Sequence, residues 1–94
     1  MSVQSLRTGS RDVREPTLYE LEPIRLDGGT VSIMLSVRFA DDGVWRGRLE
    51  FLDVEAGSQR STAEIFCGAS EDDLWQSVRA IGAHHLRDLY RSLA

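Results

Sequence analysis

The stretch TVSIMLSVRFADDGVWRGRLEF, residues 30–51, decides the fold. Val31, Ile33, Leu35, Val37 and Phe39 take every odd position, and Thr30, Ser32, Met34, Ser36 and Arg38 the even ones. A strict period of two describes a strand with one face in a core and the other toward water or a partner. Asp41-Asp42-Gly43 then marks a three-residue turn, with Gly43 at its left-handed position. Pairing Phe39 with Trp45 sets Val37 against Gly47, Leu35 against Leu49 and Ile33 against Phe51. The apolar sides then match along the whole hairpin, so this register is the expected one.

Working outward, Thr17 to Leu26 reads as a preceding strand. Its alternation breaks near Pro23, which lacks the N–H that a central strand donates, so it is expected at an edge with a bulge at Glu22-Pro23. Asp27-Gly28-Gly29 supplies the positive-φ positions of a tight turn. After the third strand, Val44 to Val54, residues 55–59 form a loop. Arg60 to Cys67 is expected as a fourth strand with Ala63, Ile65 and Cys67 inward. Residues 1–16 show no sustained period and are expected as a disordered arm, leaving 17–94 as one domain.

The last segment has helical spacing. Ser70 with Asp73 has the form of a capping box, and Glu71, Asp72 and Asp73 place acids on the positive end of a helix dipole. Leu74, Val78, Ile81, Leu86, Leu89 and Leu93 recur at three and four. One helix from Glu71 to Leu93 would run roughly 35 Å at the standard rise. Strands of eight residues reach only about 27 Å, so the helix would overhang the sheet or bend near Gly82. Gly82 falls within the apolar stripe and is read as a close approach to the sheet or as that bend. The expected fold is α+β, a four-stranded antiparallel β-meander followed by one C-terminal α-helix packed across one sheet face.

Composition narrows the function classes. The chain has 94 residues, 11 arginines, no lysine and 15 acids, for a net charge of −4. The simplest source of the missing lysine is a GC-rich coding bias; its consequence is that any cationic site is a guanidinium site, suited to carboxylate or phosphate forks. Residues 41–78 hold three Arg against nine acids, whereas residues 79–94 hold three Arg against one. That balance disfavours a duplex nucleic-acid binder. The one cysteine, Cys67, excludes an internal disulfide and a thiolate zinc cluster. No apolar run approaches the ~20 residues of a membrane span, and residues 1–10 lack a secretory core, so the expected location is cytoplasmic. No cofactor motif is present: Asp27-Gly28-Gly29 lacks the lysine and helix of a phosphate loop.

Three candidate sites remain. On the outer sheet face, Arg38 falls opposite Arg46 and Ser36 opposite Arg48. Opposed like charges destabilise a sheet pair. Unless Glu20, Glu50 or Glu64 neutralises them, the cluster is a site for a carboxylate or phosphate; if they do, it is a solvated face with local ion pairs. Met34, Leu52 and Phe66 are expected to share that face, which suits a partner protein or a second copy. At the helix end, Leu86, Leu89, Tyr90 and Leu93 are dimer candidates if they project past the sheet. His84 and Asp88 are i,i+4 neighbours and a weak metal or acid–base candidate, short of a full ligand set; His85 is expected semi-buried.

The leading expectation is therefore a small non-enzymatic protein-binding or regulatory module that self-associates as a homodimer or serves as a subunit. The alternative is a single-stranded nucleic-acid binder using Arg38, Arg46 and Arg48, for which Phe66 is the one clear stacking side chain. The third reading is a metal or hydrolytic protein built on His84, His85 and Asp88.

Overall fold

A computed structural model describes residues 15–93. Most of the arm expected over 1–16, including Arg7, Arg11 and Arg14, lies outside the described residues. The elements are β1 Thr17–Leu26, β2 Gly29–Phe39, β3 Trp45–Asp53, β4 Ser58–Ser61, β5 Phe66–Gly68, α1 Glu71–Ala80 and α2 Ala83–Ser92. The strands form one antiparallel sheet in the order β1-β2-β3-β4, with β5 also on β3. The α+β class holds, with the helices gathered on one side of the sheet. None of the described helices is long and apolar enough to cross a membrane.

The β2–β3 hairpin has the register that its parity requires, with Phe39 opposite Trp45, Val37 opposite Gly47, Leu35 opposite Leu49 and Ile33 opposite Phe51. Gly43 closes its turn at φ +82, and the Ala40 N–H donates to the Val44 carbonyl at 2.9 Å. β1 is an edge strand whose register slips between Leu21 and Ile24, at Glu22-Pro23. The slip keeps both Leu21 and Ile24 on the core side, opposite Ile33 and Val31.

The fourth strand departs from expectation in two ways. It is split: β4 and β5 lie in tandem along one edge of β3, and residues 63–65 bow out between them. Its parity is also reversed. Phe66 is buried opposite Gly47, whereas Ala63, Ile65 and Cys67 are exposed. Phe66 therefore leaves the outer face and joins the core, supplying a ring where β3 offers no side chain. Thr62 bridges the gap: its N–H donates to the Leu49 carbonyl at 2.9 Å, and its Oγ1 accepts from the Leu49 N–H at 3.0 Å. These bonds satisfy the backbone of a residue in the middle of the core.

The single expected helix is two helices. α1 starts where its cap requires, with Ser70 Oγ accepting from the Asp73 N–H at 3.1 Å. It ends at Ile81, and Gly82 caps α2 in an extended conformation. A Cβ on Gly82 would meet nothing within 4 Å, so this glycine marks the bend and not a close approach. The close approaches lie elsewhere. A Cβ on Gly47 would sit 3.4 Å from both Leu35 and Leu74, and one on Gly68 would sit 2.7 Å from the Leu74 backbone nitrogen.

The break keeps both apolar stripes on the sheet. α1 lays Leu74 and Val78 on the core, and Trp75 meets Tyr19 edge-on at 5.1 Å. The Tyr19 hydroxyl donates to Glu71 at 3.1 Å; burial, and then this carboxylate, raise its pKa. α2 buries Tyr90 against Phe51, with ring centroids 5.5 Å apart, and the Arg60 guanidinium lies 4.3 Å over the Tyr90 ring. Arg87 Nε donates to the Arg25 carbonyl of β1 at 3.0 Å. Phe51, Ile33, Leu35, Leu49 and Leu74 are the large side chains at the centre of the core.

Candidate functional site

The outer face brings Arg38, Arg46 and Arg48 together on neighbouring strands, as their register dictates. Each finds its own acid. Arg38 forks onto Glu64, Nε at 2.6 Å and Nη2 at 2.9 Å. Arg46 Nη2 meets Asp42 at 2.6 Å, and Arg48 Nη2 meets Glu50 at 3.2 Å. The open cationic site expected if the arginines lack partners does not form. Glu64 reaches Arg38 from the segment that bows out between β4 and β5.

Titration behaviour follows the pairing. The hydrogen bond from Arg38 holds the Glu64 carboxyl below the usual carboxylate range; burial opposes it, and the charges of Arg38, Arg46 and Arg48 each add a lesser lowering. Arg46, and then the Val44 N–H, do the same for Asp42. The Arg38 guanidinium is in turn raised, first by Glu64. These are exposed pairs, so their worth to stability is small. Their larger effect is to make the face nearly neutral. Its apolar component is Leu18 at 53% exposure, Leu52 at 42% and the half-buried Met34.

The helix end does not project. Tyr90 is buried at 5% exposure, and Leu86, Leu89 and Leu93 are half-buried against the core. The bend at Gly82 folds this stripe back onto the sheet, which removes the expected overhang. His84 Nε2 lies 3.6 Å from Asp88 Oδ2 on the open face of α2, and His85 is exposed, not semi-buried. Among the described residues no three His, Cys, Asp or Glu side chains converge as a metal site would need.

A second surface was not anticipated. The bulge of β1 faces the α1–α2 bend across an open groove of about 580 Å³. Its apolar lining comes from Leu21, Pro23 and Ile24 on one side and from Trp75, Val78 and Ile81 on the other, with Ala83 and Leu86 beyond. Two helix arginines also line it, Arg79 of α1 and Arg87 of α2, whereas Arg25 of β1 pairs with Thr30 on the opposite parity to the buried Ile24 and meets Arg87 through its backbone carbonyl. Among the described residues neither helix arginine forms an ion pair, and Glu22 is the one carboxylate of the lining. The excess of arginine in residues 79–94 was the available signal. Placing it required knowing that the bulge and the bend lie side by side.

The chain matches no protein-family model, no curated protein and no solved structure.

Proposed function

We propose that this chain is a non-enzymatic protein-binding module that self-associates through the outer face of its sheet. The observation that carries the reading is the internal pairing of Arg38, Arg46 and Arg48 around exposed Leu18 and Leu52. A two-fold dimer sets a patch against its own copy, so a patch of one charge sign repels itself. This face holds arginines and carboxylates in matched pairs, and its copy meets apolar surface flanked by neutralised charge. The same pairing counts against the nucleic-acid alternative, because the guanidinium forks already hold carboxylates and phosphate would have to displace them. Sedimentation over a micromolar-to-millimolar concentration series tests the reading. The expected result is a monomer–dimer equilibrium that the double substitution Leu18→Glu and Leu52→Glu shifts to monomer with the helical and sheet signal in circular dichroism unchanged. A wild-type chain that stays monomeric throughout would refute it.

A further inference from the structure

The groove between the β1 bulge and the α1–α2 bend has a different electrostatic character from the sheet face. Its floor is apolar, and its helix arginines, Arg79 and Arg87, are unpaired by any described carboxylate. Arg87 is held in place by its bond to the Arg25 carbonyl, which ties α2 to β1. Arg79 is exposed. A second copy of the same groove would bring like charges together, so charge complementarity selects an acidic occupant.

The backbone decides how that occupant docks. An added strand on the β1 edge needs an uninterrupted ladder of N–H and carbonyl groups. The groove is lined by the one part of β1 where the ladder slips and where Pro23 has no N–H to give. Attachment through main-chain pairing is therefore interrupted at the groove, and side chains must do the binding. The groove is open along one side and its lining is mainly apolar, so it offers anchors to an elongated partner. We infer that this groove binds an acidic amphipathic helix of a partner protein, with the helix's apolar stripe on Pro23, Trp75, Ile81 and Leu86 and its carboxylates on Arg79 and Arg87. The inference does not depend on self-association through the sheet face.

The probe is a fluorescein-labelled peptide of leucine and glutamate, with leucine at i, i+3, i+4 and i+7, titrated with the full chain and read by anisotropy. Tryptophan emission gives a second readout, since of the two tryptophans Trp75 lines the groove and Trp45 does not. Three comparison probes carry lysine for glutamate, serine for leucine, or a single-stranded oligothymidylate. The leucine–glutamate peptide is expected to bind at least about tenfold more tightly than each of these, a difference of about 1.4 kcal/mol or more. Arg79→Glu is expected to weaken it about tenfold or more, since reversing a rim charge converts attraction to repulsion. Ala83→Glu provides a variant that retains the fold. Ala83 is exposed at the first position of α2, where the helix dipole favours an acid, yet it lines the groove. It too should weaken the peptide about tenfold.

Unchanged affinity in both variants would overturn the inference, as would equal binding of the serine peptide or the oligothymidylate, or no binding of the leucine–glutamate peptide at millimolar concentration. If the groove variants instead abolish self-association, the occupant is a second copy and the inference fails. The Leu18→Glu, Leu52→Glu chain should bind the peptide as wild type does, so failure of the sheet-face dimer and failure of the groove are read separately.

Discussion

The outer sheet face and the groove both carry arginines, and they are electrostatic opposites. On the sheet the acids are delivered by the strands themselves: Asp42 is four residues from Arg46, Glu50 is two from Arg48, and the bowed segment beside β5 brings Glu64 to Arg38. In the groove Arg79 and Arg87 come from two separate helices, and among the described residues the one polar contact of their side chains is from Arg87 to a backbone carbonyl. The difference teaches that charge count does not locate a site in a chain of net charge −4. What matters is whether each guanidinium has a carboxylate within reach of its own local structure. The proposals follow that difference: the sheet face is proposed to meet something like itself, and the groove something unlike itself.

The contrast is most severely tested at Phe66, because its inward turn accompanies the outward bow that holds Glu64. Phe66→Ala is expected to cost about 3–5 kcal/mol in equilibrium unfolding, the usual range for an emptied aromatic core position. Ile65→Ala should stay within about 0.5 kcal/mol, as exposed positions do. The reverse ranking would restore a continuous fourth strand with Phe66 on the outer face.

A smaller effect separates the paired arginines from the unpaired ones. Arg38→Gln should raise the Glu64 carboxyl pKa toward its ordinary value in a nuclear magnetic resonance titration, whereas Arg79→Gln should move no carboxylate. The stability consequence has a definite sign. Glu64 and Asp42 titrate lower in the folded chain than in the unfolded one, so the unfolded chain takes up protons first as pH falls. Their contribution is complete above the ordinary carboxylate range, at pH about 5 and higher, and is lost as pH drops through their depressed folded-state values below about 4. Arg38→Gln should flatten that acid limb of the melting-temperature profile; an unchanged limb would break the pairing assignment. The smallest expected change is at the bend. α2 has no side-chain cap on Gly82, so Gly82→Ser should stabilise the chain by a few tenths of a kcal/mol, about 0.3 in chemical denaturation.

How far these features were legible differs from element to element. Residues 30–51 could be read because apolar parity is unbroken on both strands, and a slip by one residue would turn every core side chain to water. The Pro23 bulge could be read because proline leaves one backbone option. The fourth strand misled because Ala63, Ile65 and Cys67 outnumber Phe66, while the inward places at Arg60 and Thr62 are polar. Arg60 is accepted there by the face of Tyr90, a partner 30 residues away. The α1–α2 break could be read as one of two outcomes, because a single helix outruns the strands and Gly82 is where it can bend; that it bends and does not overhang was not local information. For the sites, the register placed Arg38, Arg46 and Arg48 correctly, but whether they are free depended on where Glu64 lands. The groove needed the bulge and the bend in one frame, and each was visible only by itself.

Cys67 is exposed on β5, paired across to Arg46 of the outer face, and it is the only thiol in the sequence. A thiol-directed dye or nitroxide therefore attaches at a single atom, without mutagenesis, on the surface proposed to meet its copy and apart from the residues that line the groove. Two labelled chains joined through that face would hold their spin labels at one fixed separation. The protein thus arrives with a molecular ruler already installed on one of its two proposed binding surfaces.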